Sequence, residues 1–384
     1  MPARPQGVYQ DGRGAWYFKV TLGRDPLTGK RVQITQRGFR TASEAGRARR
    51  DVLAKVDTGQ VRPQSKPLTV NELLDLYLDG MDADRRLAPK TRFDYRNHAD
   101  HFVRPALGAR KVRDVTPEAI LAWQRKLLKG GGVKTGKPLA PNTVRLARAP
   151  LAGAMKLAVE TGVIAVNPMV SARPPRAQRS IPKHWTPEQA REFLDLMEGD
   201  RTYPAWAFLL GSGLRIGELV SLRWGNVDLG RRVVHVVEFV STLGYKLEQS
   251  PGKSRDAVRS IELDDGLVRV LRAQRKLQAE ERLAAKEYVD SDYVFTRPTG
   301  GPYHPNNLSK LLGRMTTEVG LPRLTAHGLR HTSATLMLAN GVPPKVAAER
   351  LGHADPTLFT NLYSHVTPTM QREAAEKIGA ALFD

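Results

Sequence analysis

The sequence contains no cysteine among its 384 residues, which excludes disulfide bonds, thiolate catalysis and cysteine-ligated zinc. It also lacks any apolar run near the roughly 18 residues that a membrane-spanning helix needs. The first residues, MPARPQG, do not have the apolar core of a signal peptide. These absences predict a cytoplasmic chain with no membrane partner.

Acidic side chains are scarce relative to basic ones. Lys and Arg number 60 against 39 Asp and Glu, which gives a formal net charge of +21. Such an excess predicts a polyanionic partner, and nucleic acid fits a cytoplasmic chain best. The length is sufficient for two or three domains with their own cores.

Residues 1–62 have the pattern of a small separate module. Short strands are predicted near Val8, over Ala15–Thr21 and over Lys30–Thr35, followed by a helix that Thr41 begins. Residues 1–65 contain 13 basic and 5 acidic side chains, a net charge of +8. Aromatic and basic residues alternate along the strands, which favours DNA binding over a solvated basic sheet without a ligand.

Residues 68–170 are predicted to be helical, after a linker at Val61–Pro67. Thr69 and Thr116 are expected to cap two helices, and a long helix from Pro141 to Thr161 should bend at Pro150. The side chains predicted to contact DNA phosphates are Lys90, Arg92, Arg96, Arg145 and Arg148. Each of these, taken alone, is equally an ordinary exposed helix charge.

Residues 171–183 combine three prolines and four basic residues, and are predicted to link this helical block to a last domain at 184–384. In that domain Arg232–Val240 alternates as a strand, and Ala257–Leu263 is its predicted partner. Lys253 is then expected in the turn region between them. Helices are predicted at 265–287 and 305–319. A nucleotide-binding loop at Gly211–Gly217 is excluded, because the glycine spacing is one residue too long and a helix precedes it.

The stretch Thr325–His365 collects polar residues with one kind of chemistry. His327 and Arg330 lie about one turn apart on a predicted helix. Leu351-Gly352-His353 follows a second short helix, and Tyr363 comes ten residues later. The set contains an arginine, two histidines and a tyrosine but no carboxylate. It offers donors for a phosphate and a phenol that can attack it, and no ligand for a hard metal ion.

These residues resemble a known family. His327-x-x-Arg330, Leu351-Gly352-His353 and Tyr363 resemble box II of the tyrosine recombinases, the phage integrase family. Gly213-Leu-Arg215-Ile-Gly-Glu218-Leu resembles box I. The resemblance implies a multidomain, mainly α chain with small β-sheets (α+β). Its parts would be an AP2-like arm-type DNA-binding domain at 1–62, a SAM-like core-binding domain at 68–170 and a catalytic domain at 184–384.

The resemblance also implies a role for each site residue. Tyr363 would attack the scissile phosphate and form a 3′-phosphotyrosine bond, with no cofactor, metal or ATP. Arg215 and Arg330 would bind the phosphate oxygens in the bidentate way that lysine cannot imitate. His327 and His353 would donate or exchange protons, and Glu218 would support the site.

Two departures from the family pattern affect these expectations. The family lysine that protonates the leaving 5′-oxygen usually follows proline directly, but Gly252 separates Lys253 from Pro251. Lys246 therefore stays a second candidate for this role. His331 and His327 have the His-x-x-x-His spacing of a zinc helix, yet no third ligand is in reach, so no metal is predicted.

The predicted function is a site-specific DNA recombinase, an integrase of a phage or mobile element. Its partners would be double-stranded DNA attachment sites and three further copies in a homotetramer. A helix at Pro368–Phe383 should pack on a neighbouring protomer, or alternatively on its own domain. The alternatives are a type IB-like topoisomerase, a catalytically inactive DNA-binding regulator of the same fold and a metal-dependent nuclease, the last disfavoured by the missing carboxylates. The sequence leaves open whether an excisionase or a DNA-bending host factor is required.

Overall fold

The chain divides at Arg179/Ser180 into two units in a computed structural model. The division lies inside the predicted linker 171–183. The further division of the first unit near 62–68 stays a prediction. The structure describes residues 6–24, 29, 31–57, 67–84, 86–132, 136–177, 183–244, 246–251, 258–352, 372, 376, 378–380 and 382.

The N-terminal unit begins with an antiparallel three-stranded sheet and one helix. These elements are β1 (Val8–Gln10), β2 (Trp16–Arg24), β3 (Arg31–Phe39) and α1 (Ala42–Asp57), and the strand order is β1-β2-β3. Alternate residues Val8, Phe18 and Val20 are buried with Ala45 of the helix, so one face of the sheet packs on α1. The other face is left open.

The remainder of the N-terminal unit is helical. Its helices are α2 (Val70–Ala83), α3 (Pro89–His98), α4 (Arg104–Leu107), α5 (Pro117–Gly130), α6 (Pro141–Glu160) and α7 (Pro168–Ser171), with a π-helical turn at Ala99–Val103. Thr69 caps α2 in a reciprocal capping box with Glu72, as predicted. The helix over Pro141–Glu160 forms with Pro150 inside it. The apolar side chains of α2, which include Leu73, Leu74 and Leu78, are buried in a core shared with the other helices of this part.

The described residues of the C-terminal unit form a helical domain with two small sheets. Its helices are α8 (Pro187–Leu196), α9 (Tyr203–Ser212), α10 (Ile216–Ser221), α11 (Asp265–Ala284), α12 (Pro305–Glu318), α13 (Ala326–Ala339) and α14 (Pro344–Leu351). Its strands are β4 (Val227–Asp228), β5 (Val233–Val236), β6 (Glu238–Leu243), β7 (Lys246–Pro251) and β8 (Arg259–Glu262). Large aromatic side chains such as Trp206, Phe208 and Phe295 fill its core. The predicted mainly α fold with small β-sheets is confirmed.

The strand pairing differs from the prediction in one respect. The predicted strand Arg232–Val240 is two strands, and only its first half, β5, pairs with β8. The second half belongs to β6, which forms a separate hairpin with β7 closed by Leu243 and Lys246. Lys253, which was predicted in the turn region before Ala257, lies outside the described residues, between the end of β7 at Pro251 and the start of β8 at Arg259. Gly244, whose φ of +61° suits a tight turn, lies where the chain reverses between β6 and β7.

Candidate active site

Arg215 is held at the start of α10 by the glycine that ends α9. Gly213 has a φ of +67°, and a Cβ there would lie 2.2 Å from Leu351 Cδ2, so only glycine fits. The tight turn makes Arg215 the N-cap of α10, where its backbone N–H donates to Glu218 Oε2 at 2.9 Å. Its side chain remains 44% exposed. The box I glycine therefore positions a guanidinium at the surface with a fixed backbone.

Glu218 lies beneath Arg215 and is 5% exposed. Its Oε1 accepts from Arg215 Nη1 at 2.9 Å, and both its oxygens accept from the two Nη groups of Arg259 at 3.2 and 3.0 Å. Burial alone would raise the pKa of Glu218, but the hydrogen bonds and charges of Arg259 and Arg215 outweigh it and hold the pKa below 4.5. Glu218 is therefore a carboxylate at neutral pH.

Arg330 projects from α13 into the same cluster and is 2% exposed. Its Nη1 donates to Gly213 O at 2.9 Å and lies 3.9 Å from Glu218 Oε2, while its Nη2 donates to Leu351 O at 2.6 Å. Burial, followed by the charge of Arg215, lowers the pKa of Arg330 to about 9. The residue thus keeps its charge at neutral pH. The structure brings Arg215, Glu218 and Arg330 together.

The last three carbonyls of the α14 turn each accept a hydrogen bond from a different arginine. Arg259 Nε donates to Arg350 O at 2.7 Å, and Arg330 Nη2 donates to Leu351 O. Arg215 Nη2 donates to Gly352 O at 2.8 Å. Sequence reasoning missed Arg259, although a signal exists. It alternates with the buried Ile261 on β8, which places both side chains on the inner face of that strand.

His327 and His331 lie one turn apart on α13, with their Nε2 atoms 3.1 Å apart. Burial, then the charges of Arg330 and Arg215, lower the pKa of His327 below 6.5. Burial, then the charges of His327 and Arg330, lower the pKa of His331 to about 4. Both rings are therefore neutral at pH 7, and the Nε2–H of one donates a hydrogen bond to the Nε2 of the other. Within the described part of the chain, no group of three His, Asp, Glu or Cys residues is arranged to hold a metal ion.

Three predicted site residues, Lys253, His353 and Tyr363, lie outside the described residues. The chain leaves β7 two residues before Lys253. It leaves the left-handed Gly352, φ +67°, immediately before His353. Lys246, the second candidate for the proton donor, is exposed at the start of β7.

The predicted phosphate contacts of the N-terminal unit have different environments. Lys90 pairs with Asp94, Arg96 pairs with Asp82 and Asp79, and Arg92 donates to Asp82 O at 2.9 Å. These side chains lie at least partly at the surface, as does Arg145, which donates to Pro175 O. Arg148 is different and corrects the prediction, because it is only 7% exposed and its Nη2 donates to Met169 O. A phosphate contact by Arg148 is unsupported, since its guanidinium is used inside the helical core.

Comparison with known proteins agrees with this architecture. The phage integrase family profile matches residues 183–370, and the profile of an arm DNA-binding domain matches residues 7–56. A XerC-like tyrosine recombinase of Caldanaerobacter subterraneus subsp. tengcongensis is 26% identical over 98% of both chains. The described helices include none long and apolar enough to cross a membrane.

Two solved structures share the fold. The Tn1549 transposon integrase, in complex with a circular intermediate DNA, superposes with a TM-score of 0.67 at 23% identity, over 81% of this chain and 99% of that one. The lambda integrase, as a tetramer bound to a Holliday junction, gives 0.58 at 18% identity, over 92% and 94%. With both box motifs and both family profiles in order, the chain belongs to the phage integrase family and is a tyrosine-type site-specific recombinase.

Proposed function

We propose that this recombinase integrates and excises a mobile DNA element, with Tyr363 as the nucleophile. The Tyr363 oxygen attacks the scissile phosphorus, the bond to the 5′-oxygen breaks, and a 3′-phosphotyrosine and a free 5′-hydroxyl result. A 5′-hydroxyl from the partner strand then attacks the phosphotyrosine and releases Tyr363. Each step exchanges one phosphodiester for another, so ATP is not required to reseal the strand.

Arg215 is the residue best placed to bind the scissile phosphate directly. Its side chain is 44% exposed, while hydrogen bonds to Glu218 and Gly352 O fix the direction of the guanidinium from the protein side. A donor fixed before the reaction stabilises charge on phosphorane oxygens without reorganisation. Arg330 contributes positive charge to the site from its buried position. Its own contact with the phosphate requires a local rearrangement on DNA binding, because the side chain is 3% exposed here.

The histidine and the lysine divide the proton transfers. A neutral His327 can accept the phenolic proton of Tyr363, whose pKa is otherwise near 10. His353 adds a donor to the phosphate oxygens, and Lys253 protonates the leaving 5′-oxygen. Lys246, on the hairpin, is the alternative to Lys253. The observation that carries the proposal is the cluster of Arg215, Glu218 and Arg330, joined beneath the turn that leads to His353.

The proposal is tested by covalent capture on a nicked suicide substrate. Tyr363→Phe removes only the phenolic oxygen, so we expect no adduct and nearly unchanged affinity for DNA, because phosphate contacts and base readout are retained. Tyr293→Phe is the matched control: its hydroxyl accepts from Arg223 at 3.3 Å, away from the box motifs, and its adduct should match wild type. An adduct with Tyr363→Phe, or loss of wild-type cleavage in EDTA, would contradict the mechanism. Absence of cleavage by the wild type would favour an inactive regulator.

The N-terminal sheet is proposed to bind arm-type DNA sites distinct from the crossover site. Its open face carries a stacked pair of rings, Tyr9 and Tyr17, with centroids 5.4 Å apart. Arg37 and Lys19 lie over the Tyr17 ring, at 5.2 and 5.9 Å from its centroid. Rigid aromatic rings between cations suit a phosphate-lined groove.

Removal of residues 1–65 should leave core-site binding intact and abolish integration on full-length attachment DNA. The paired substitution Lys19→Ala/Arg37→Ala should reproduce this loss. Arg50→Ala, on the exposed side of α1, should have no effect on integration. Full integration by the truncated protein would refute the arm-site role.

We further propose that four copies assemble on DNA through the C-terminal segment Pro368–Phe383 of a neighbouring copy. Ile378 and Leu382 have exposed side chains. The C-terminal unit has an apolar groove of about 620 Å³, lined by residues that include Ala190, Leu194, Ala207, Leu210, Leu267 and Leu336. A chain ending at Val366 should bind a single site normally but lose cooperative assembly in gel shifts. If assembly persists, the segment covers its own domain instead.

A further inference from the structure

We infer that Arg259 is a positioning residue of the cleavage site, which fixes the end of α14 at Arg350–Gly352 and the buried Glu218 without touching DNA. The inference rests on the proposed function of this site, since it assigns Arg259 to the same cleavage step. Neither box motif contains Arg259. Its side chain is 8% exposed and is therefore not available for a surface phosphate.

The first argument is the end of α14. The last carbonyls of any helix have no partner within the helix and need donors from elsewhere. Here Arg350 O, the first of the three, is supplied by Arg259 from β8 at 2.7 Å. The next two are supplied by Arg330 and Arg215. Charge-assisted hydrogen bonds are shorter and stronger than neutral ones. The peptides that lead into His353 are thus anchored to three separate elements, and β8 is one of them.

The second argument is charge. Arg259, Arg215 and Arg330 together carry three positive charges around the single carboxylate of Glu218, which leaves a net charge of +2 facing the site. Arg259 provides the bidentate partner that keeps Glu218 ionised at 5% exposure. Of these three arginines, Arg215 is the one that is partly exposed, and its side chain binds the carboxylate through one Nη group. Without Arg259 the Glu218 carboxylate would lose the larger part of the hydrogen bonds and positive charge that offset its burial. Arg215 would then lose a fixed partner.

A lysine cannot replace this guanidinium. Arg259 uses Nε for Arg350 O and both Nη groups for the two oxygens of Glu218, so one planar group spans two elements. An ammonium group is a point donor and can satisfy one side only. Arg259→Lys therefore keeps the charge and loses the bridge, whereas Arg259→Gln loses both.

The effect should fall on the chemical step. A misplacement of about 1 Å in a reacting group costs on the order of a hundredfold in rate. We therefore expect single-turnover cleavage of the suicide substrate, at saturating DNA, to fall ~100-fold in Arg259→Gln. The fall in Arg259→Lys should be smaller. The DNA dissociation constant should stay within about twofold of wild type, since the contacts to phosphates are retained.

A pH profile distinguishes positioning from a general loss of structure. The charged groups that face Glu218 are Arg215 at the start of its own helix, Arg259 on β8 and Arg330 on α13. When Arg259 is removed, its hydrogen bonds and its charge no longer offset burial, so we expect the pKa of Glu218 to rise relative to wild type. The acid limb of the cleavage rate should then move to higher pH in Arg259→Gln. It should move less in Arg259→Lys.

The decisive experiment combines hydrogen exchange on the DNA-free protein with cleavage kinetics. Arg259→Gln and Arg259→Lys should raise amide exchange over residues 345–352 at unchanged helix content. Arg232→Gln is the matched control, because Arg232 pairs with Asp265 at the exposed start of β5 and should change neither measurement. If Arg259→Gln unfolds, Arg259→Lys carries the test, since it retains the buried charge balance.

The inference is overturned if a folded Arg259 variant keeps wild-type exchange and wild-type cleavage. It is also overturned if affinity for DNA falls as much as the rate, because Arg259 would then contact DNA itself. Failure of the proposed function is recognised separately, as absence of cleavage by wild type and Arg232→Gln. In that case the exchange measurement alone decides whether Arg259 holds the turn.

Discussion

The site arginines of the C-terminal unit donate to backbone carbonyls and to one buried carboxylate. Lys90 and Arg96, two of the basic residues proposed to contact DNA in the helical part of the N-terminal unit, instead form ion pairs at the surface. Arg330 and Arg259 are under 10% exposed, and their partners are fixed parts of the fold. Arg96 is 42% exposed, and its partners Asp79 and Asp82 are more exposed still. The two groups carry the same charge. The first is held by fixed parts of the fold, and the second is free to exchange its partners.

The difference follows from what each group has to do. A guanidinium that stabilises a transition state must be oriented before the reaction, and hydrogen bonds to backbone carbonyls and to a buried carboxylate do this. A surface cation that binds the DNA backbone must exchange an acidic partner for a phosphate, and a solvated ion pair is weak enough to allow it. The buried group should therefore respond to substitution in folding and catalysis, and the exposed group only in DNA affinity.

The largest expected effect comes from Glu218→Gln, which removes the charge that the buried arginines share. Removing one partner of a buried ion pair typically costs ~3–5 kcal/mol, because the other charge stays buried and unpaired. We expect a loss of this size in the free energy of unfolding, measured by urea denaturation, and a steep fall in cleavage by the folded fraction.

Glu281→Gln is the control for this prediction. Glu281 pairs with Arg201 in the same unit, half-buried and away from the site. Glu281→Gln should lower the free energy of unfolding by less than Glu218→Gln does, and should leave cleavage by the folded protein unchanged. Equal stability losses in the two variants would mean that the arginine cluster is no more tightly coupled than an ordinary half-buried pair.

Much of the fold was predictable because local signals were strong. Thr69 with Glu72, and Thr116 with Pro117, correctly placed the starts of α2 and α5. The hairpin of β6 and β7 was missed because alternation continues through Val237, so period two gives no sign of a break. α3 lies within the block that the sequence predicts to be helical, but its bounds were not predicted, because none of its residues is fully buried and it has no apolar stripe.

The site was predictable in its composition but not in its connections. The order of Arg215, His327 and Arg330 along the chain gave the family, and the structure brings Arg215 and Arg330 to one carboxylate. The contact of Arg259 with Glu218 spans 41 residues and two elements, and no periodicity reports such a pair. Arg148 shows the opposite error. A basic residue on a helix was taken for a surface charge, although the tertiary packing buries it.

The second expected effect is a pH dependence that comes from His331, which is half-buried on α13. Burial lowers the pKa of His331 from 6.5 to about 4. As pH falls, His331 is therefore protonated in the unfolded chain before it is protonated in the folded one. The stability that this group contributes is complete above about pH 6.5 and is lost as pH falls toward about 4. We expect the melting temperature to fall over that window in wild type, and to fall less in His331→Gln. His235→Gln, at an exposed position of β5, should keep the wild-type slope.

The smallest expected effect is that of Arg96→Ala on stability. Exposed ion pairs contribute only ~0–1 kcal/mol, so unfolding should change by less than about 0.5 kcal/mol. Its affinity for DNA should nevertheless fall equally for all sequences, and the slope of log affinity against log salt should decrease by about 1. Lys156→Ala removes a similar exposed pair, with Glu160 on α6, and should change neither quantity.

Arg148→Met tests the distinction between fixed and exchangeable arginines within the N-terminal unit. Because Arg148 is buried and donates to Met169 O, the substitution should change the free energy of unfolding and leave the salt slope as in wild type. Methionine fills a similar volume, so the change should be modest, on the order of 1–2 kcal/mol. If Arg148→Met lowers the salt slope as Arg96→Ala does, burial in the free protein does not predict which cations reach DNA. The division between fixed and exchangeable arginines would then hold only for the cleavage site.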